Sequence, residues 1–186
     1  IRTHGGAYIL DGVQNDIDIS MRQVLKTKEK TLIAEKCSQH IQSGDSIFLD
    51  GSTTCWFVAR QLANKNLTVL TTSLQIATIL AASPTISLIL IGGAFSPKSM
   101  AFLGDNACRA LSNYYVDKAF ISCRSVSMEN GLTDVSEGEA AIHRLITQRS
   151  NRTYLVVDHS KVGPTSFAFA CGLDSIDAMI CDKPLP

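Results

Sequence analysis

The stretch Ser46-Ile47-Phe48-Leu49-Asp50-Gly51-Ser52-Thr53-Thr54, followed by Cys55-Trp56-Phe57-Val58-Ala59-Arg60-Gln61-Leu62, decides the fold. A short apolar run stops at a cluster of small polar residues, and a pattern of helical period begins at once. That order spells a buried strand, a tight turn and a helix N-terminus. Gly51 allows close backbone approach, and Ser52, Thr53 and Thr54 add hydroxyls beside the free amides and positive dipole end of the helix. Such a turn suits a phosphate or a carboxylate. Ser52 or Thr53 serving simply as the helix cap fits the same letters.

The pattern repeats on both sides. Upstream, residues 20–43 have helical spacing, with Ile33, Cys37 and Ile41 on one stripe, and Gly44-Asp45 ends that helix. Downstream come a strand at 67–71 ending in Thr72-Ser73, a helix at 74–82, and a strand at 86–91 ending in Gly92-Gly93-Ala94. After a loop at 96–100, a helix spans 105–111, and a strand at 118–122 runs into Cys123-Arg124-Ser125. Glu129-Asn130-Gly131 is a turn, and Ser136-x-x-Glu139 is a capping box that opens a helix to about Arg149. A strand at 153–157 ends in Asp158-His159-Ser160-Lys161, and short strands at 167–171 and 178–181 close the chain. Apolar strands alternating with helices predict an α/β fold: a Rossmann-like parallel sheet with helices on both faces. Ligands of such sheets bind beyond the carboxyl ends of the strands, so the polar turns open on one edge.

Composition narrows the class. A chain of 186 residues supports one core, and 45% hydrophobic residues exclude disorder, yet no run approaches the ~20 residues that span a bilayer. Residues 1–19 are polar and read as a linker, without a signal peptide or an initiator Met, as in a piece of a longer protein. Seventeen basic and seventeen acidic residues cancel, which leaves no electrostatic footprint for gripping a duplex. Six scattered cysteines without a C-x-x-C pair predict reduced thiols in a cytoplasmic protein. Four histidines without ligand spacing predict no metal site, and no cofactor motif is present: G-x-G-x-x-G and the Walker lysine are both absent.

Polar groups follow five strands: Asp50 with Ser52, Thr53 and Thr54; Thr72 with Ser73; Gly92 with Gly93; Ser122 to Arg124; and Asp158 with Lys161. Hydroxyls, glycine amides and isolated cations suit a polyhydroxylated, phosphorylated small molecule. Each has a plainer alternative. Lys161 and Lys30 also fit as solvated lysines, Arg124 as the partner of Glu137, Glu139 as a cap, and Asp50 as a turn stabiliser. His40 and His143 read as surface or packing residues on helices. Asp158-His159-Ser160 has triad letters, but consecutive residues cannot adopt triad geometry.

Taken in order, Leu49-Asp50-Gly51-Ser52-Thr53-Thr54, Leu70-Thr71-Thr72-Ser73, Ile91-Gly92-Gly93, Val116-Asp117-Lys118-Ala119-Phe120, Asn130-Gly131-Leu132-Thr133-Asp134 with Glu137 and Glu139, and Asp158-His159-Ser160-Lys161 closely resemble the effector-binding domain of DeoR-family bacterial transcription regulators. His4-Gly5-Gly6-Ala7 is similar to the linker after that family's N-terminal winged helix-turn-helix. The resemblance implies a fold shared with ribose-5-phosphate isomerases, glucosamine-6-phosphate deaminases and CoA-transferases, spanning 20–186, and a sugar-phosphate effector. Gly51, Ser52, Thr53, Thr54, Thr72, Ser73, Lys30 and Lys161 would hold the phosphate, and Asp50, Gly92, Gly93, Cys123, Arg124 and Glu137 would face the sugar. It also implies a homodimer or homotetramer that meets operator DNA through the N-terminal domain, without a membrane. The isomerases carry an Asp-Gly-Ala-Asp type motif where this chain has Cys123-Arg124-Ser125, a departure that favours sensing over turnover. A sugar-phosphate isomerase or deaminase of the same fold is the alternative.

Overall fold

In the computed structural model, which describes residues 2–3, 6–7 and 19–184, the strand–turn–helix alternation closes into one twisted sheet. Six strands run parallel: β1 (Ser46–Leu49), β2 (Leu67–Thr71), β3 (Ile86–Leu90), β6 (Val116–Ile121), β9 (Ser150–Val157) and β11 (Ala178–Cys181), in the order β11-β9-β6-β1-β2-β3. Successive residues of a strand face opposite sides, so each strand feeds two cores. Ile47 and Leu49 of β1 join Ile33, Val58, Val69 and Ile76 on one side, while Phe48 joins Leu70, Leu111, Ile142 and Ile146 on the other. Burial on both faces is why the inner strands β1 and β2 and the carboxyl-terminal halves of β6 and β9 are largely apolar.

Helices α1 (Ile19–Val24), α2 (Thr27–Gln39), α3 (Thr53–Arg60), α4 (Leu74–Leu80), α5 (Asp105–Leu111) and α6 (Glu137–Thr147) complete the alternation. The single helix expected over 20–43 is two. Lys26 adopts the left-handed region (φ 56°) and breaks it. The Lys30 ammonium then satisfies the end of α1, donating to the Leu25 carbonyl at 2.8 Å and to the Arg22 carbonyl. Apart from the strand at 167–171, the sequence pattern did not reveal the members of two short antiparallel units, because strands of three or four residues show too little period. One is the hairpin β4 (Ala94–Ser96) with β5 (Ala101–Leu103), and the other is the three-stranded sheet β10-β8-β7, from Ala168–Cys171, Gly131–Asp134 and Ser125–Ser127. Of residues 1–18, Arg2–Thr3 pairs with Gly6–Ala7, and the rest lies outside the described residues. No helix among the described residues is long and apolar enough to cross a membrane.

Candidate functional site

Asp50 leaves β1 at its carboxyl end and is buried. Its Oδ1 accepts the Ser52 amide at 2.9 Å, and its Oδ2 accepts the Ser122 amide at 2.6 Å. One carboxylate thus ties the ends of neighbouring strands β1 and β6. Gly51 follows because a Cβ there would stand 3.0 Å from the Ala101 Cβ: the β4–β5 hairpin presses on the turn. Ser52 is the N-cap of α3, its hydroxyl accepting the Cys55 amide at 3.1 Å. Capping uses a lone pair and leaves the hydroxyl proton free to donate, so the cap does not use up this side chain. Among the described residues, the Thr53 and Thr54 amides find no acceptor, as the first turn of a helix dictates.

Beside this turn lies a buried ionic trio that the sequence did not announce. His143 of α6 stands between two carboxylates, with Nδ1 2.7 Å from Asp134 Oδ2 and Nε2 3.2 Å from Asp50 Oδ2. Burial disfavours its charged form, but the two carboxylates outweigh burial and hold His143 well above the ordinary imidazole value. Both ring nitrogens therefore donate. Burial likewise works to raise Asp50, yet the His143 hydrogen bond and charge, with the Ser52 and Ser122 contacts, keep it below the ordinary carboxylate value. Asp134 Oδ1 accepts the Arg124 amide at 3.2 Å, which ties the segment after β6 to β8. Glu139, one helical turn before His143, is pushed up by burial and by the Asp134 charge, and its Oε2 accepts from the Ser136 hydroxyl at 3.3 Å. The Ser136 cap is formed, its hydroxyl accepting the Glu139 amide at 3.3 Å, and the Glu139 side chain lines the same pocket.

The opposite side of the site is basic. Lys161 is lowered to about 8 by burial, then by the Arg124 and Arg22 charges, with Asp158 pulling the other way. Lys30 is lowered to about 8 by burial and by Arg22, again opposed by Asp158. Asp158, buried at the end of β9, spends its Oδ1 on the Ser160 amide (3.0 Å) and hydroxyl. Lys161 thus feels Arg124 and Arg22, and Lys30 feels Arg22 and Lys161, with Asp158 and, for Lys30, Glu29 acting against them, a concentration of positive charge that favours an added anion.

The predicted residues are only partly brought together. Asp50, Gly51, Ser52, Thr72, Cys123 and Arg124 line one pocket, and Lys30 and Lys161 belong to the cation cluster beside it. Thr53 and Thr54 are buried in the first turn of α3, outside the pocket lining. The Ser73 hydroxyl caps α4, accepting from the Ile76 amide at 3.3 Å and from Trp56 Nε1 at 3.2 Å. Glu137, expected to face the sugar, instead pairs with Arg144 at 3.2 Å on the exposed face of α6. Gly92 and Gly93 do not line the pocket. A Cβ on Gly93 would stand 2.7 Å from the Leu103 carbonyl oxygen and 2.8 Å from the Ala107 Cβ. Gly93→Ala is therefore expected to cost about 1–3 kcal/mol in a denaturant melt while the retained fold binds ligand as before.

Two expectations are corrected. His143 is not a surface or packing residue but the centre of the trio. The pocket is not poor in acids, since Asp50, Asp134 and Glu139 line it although the segment after β6 carries none. Arg22 of α1 and Ser99 of the hairpin loop also line it and were missed. The spacing of Glu139 and His143, four apart beside Ile142 and Ile146, was the available signal for a polar pair on an inward helical face.

A six-stranded parallel sheet flanked by helices, in the strand order given above, defines an α/β domain with the ribose-5-phosphate isomerase type of fold. Solved structures agree on that fold. Ribose-5-phosphate isomerase A from Methanocaldococcus jannaschii is 19% identical with a TM-score of 0.53, over 72% of this chain and 53% of that one. The tetrameric eIF2B-β2-δ2 complex from C. thermophilum is 14% identical with a TM-score of 0.63, over 88% and 57%. This chain thus spans little more than half of either.

The sequence matches the family described as the DeoR C terminal sensor domain over residues 25–183. It is 36% identical to an uncharacterized HTH-type transcriptional regulator, YulB, of Bacillus subtilis, over 99% of this chain and 71% of that protein. It is 33% identical to the HTH-type transcriptional repressor GlcR of the same organism, over 98% and 70%. The chain belongs to the DeoR family of transcriptional regulators, whose sensor domain it carries.

Proposed function

We propose that this sensor domain binds a phosphorylated sugar and thereby controls operator binding by a winged helix-turn-helix domain elsewhere in a longer cytoplasmic repressor. The observation that carries the proposal is the convergence of Arg22, Lys30, Arg124 and Lys161 beside the Asp50–Thr54 turn. A phosphate dianion would offset the mutual repulsion that lowers Lys161 and Lys30, and the pocket's hydroxyls and carboxylates would meet the sugar. The ligand would bias two arrangements of a homodimer or homotetramer, which takes a coupling of ~1–3 kcal/mol. A panel of sugar phosphates, scanned by thermal shift at millimolar concentration, tests this. At least one should raise Tm while its unphosphorylated counterpart does not, and a flat panel contradicts the proposal.

A second reading, isomerase or deaminase chemistry, is favoured by the Asp50, Asp134, Glu139 and His143 lining. Incubation with aldose and ketose phosphates, followed by product analysis, separates the two. Sensing predicts unchanged sugar.

The lysines also set a pH response. Their folded pKa values, near 8, lie below the ordinary lysine value, so the folded chain releases protons before the unfolded chain does. Without ligand, the two lysines' own contribution to stability should rise between about pH 8 and 10.5, a rise that Lys161→Ala should remove in part. Affinity for a phosphorylated ligand should fall across the same window as the lysines lose charge, and below about pH 6 as the phosphate becomes a monoanion. Calorimetric titrations from pH 5 to 10 check the resulting maximum near neutrality.

A further inference from the structure

The loop joining β4 to β5 carries an unusual side chain. Ser99 is 6% exposed and lines the pocket, yet its Oγ has no hydrogen-bond partner among the described residues. More than nine in ten buried polar groups find a partner, and leaving one without costs about 1–3 kcal/mol. The backbone around it is held against its preference. Met100 has φ 51°, a left-handed conformation that ordinary side chains avoid. Three anchors keep it there: the Leu74 amide donates to the Met100 carbonyl at 3.0 Å, the Phe102 amide donates to the Thr72 carbonyl at 2.8 Å, and Ser73 bridges to Ala101. The same segment arches over the turn, with the Ser99 carbonyl oxygen 3.9 Å and the Ala101 Cβ 3.0 Å from where a Gly51 Cβ would stand. A pinned, strained loop therefore holds an unsatisfied hydroxyl beside the turn that the cations face.

We infer that Ser99 is a ligand-binding residue, its hydroxyl donating to an oxygen of the phosphate monoester held at the Asp50–Thr54 turn. The inference rests on the phosphate-binding reading above and adds a contact on a third side, from the hairpin rather than from the parallel sheet. It makes the loop at 97–100 the wall that selects a tetrahedral anion, because an uncharged hydroxymethyl group offers one acceptor where a phosphate offers three.

Calorimetric titration of the wild type, Ser99→Ala and Ser166→Ala with inorganic phosphate, ribose 5-phosphate, fructose 6-phosphate, glucosamine 6-phosphate and their unphosphorylated counterparts tests the inference, alongside ligand-free melts. Ser166 is the control, since its hydroxyl is also buried without a partner among the described residues but does not line this pocket. Ser99→Ala should weaken the phosphorylated ligands and inorganic phosphate about tenfold or more, and Ser166→Ala should leave them unchanged. The ligand-free Tm of Ser99→Ala should stay level or rise, because the variant removes an unsatisfied group. Unchanged affinity in Ser99→Ala overturns the inference while leaving the phosphate reading in place. So does an equal loss for unphosphorylated sugars, or a lowered ligand-free Tm that shows a structural partner. A wild type that binds no probe overturns the phosphate reading, and this inference with it.

Discussion

Replacing His143 with leucine is expected to cost about 3–5 kcal/mol of stability, the largest effect of any single change near the site. The side chains of His143, Asp50 and Asp134 are 8%, 3% and 5% exposed, so water cannot take the place of the lost imidazolium. Two carboxylates would be left facing one another across an apolar side chain. The loss should depend on pH in a definite way. His143 has a raised folded pKa, so its contribution is complete below the unfolded value of about 6.5 and fades as pH climbs through the folded one. Asp50 has a depressed folded pKa, so its contribution is present above about 4 and is lost as pH falls through the folded one. The gap between wild type and His143→Leu should therefore be widest between about pH 4 and 6.5 and should narrow in alkali. Urea melts at pH 5.5 and pH 9 measure it. A pH-independent gap of less than about 1 kcal/mol would show that the trio is not ionised.

Lys161→Ala should weaken a phosphorylated ligand by about 2–4 kcal/mol, or roughly 30- to 800-fold, and leave its unphosphorylated counterpart nearly untouched. The same substitution should leave the ligand-free fold as stable as before or more so. Burial and the neighbouring Arg124 and Arg22 disfavour the charge on this lysine, and removing it relieves them. Opposite signs for binding and stability are the mark of a residue kept for its ligand. Equal weakening of both ligands would mean that Lys161 does not meet the phosphate. A marked loss of ligand-free stability would make it structural.

The parts of this fold that were legible in the sequence are those set by local chemistry. Ile47 to Leu49 and Val69 to Leu70 are apolar because both faces are covered, and Asp50-Gly51-Ser52 must follow a strand whose end is tied to its neighbour. Lys161 stood out by following a strand with Asp158, and the family resemblance gave it and Lys30 a phosphate-binding role. What escaped depends on contacts distant along the chain. His143 lies 93 residues from Asp50, and nothing around it in sequence distinguishes a packing histidine from an ionised one. Ser99 sits in a loop whose value comes from the turn it covers. Ser73 and Gly93 carry the right chemistry for a ligand, but tertiary structure spends it on a helix cap and on contact with Leu103 and Ala107. Glu137 is one residue into α6 and so faces Arg144 and solvent, two residues before the inward-facing Glu139.

The dianion at the bend after β1 is tested most directly by crystals of the domain soaked with whichever sugar phosphate gives the largest thermal shift. Density for a phosphate between Ser52, Thr72 and the Lys161 ammonium, with the sugar directed toward Glu139, is the expected result. Density for the ligand elsewhere on the molecule, with one of the protein's own side chains filling the bend, would contradict it.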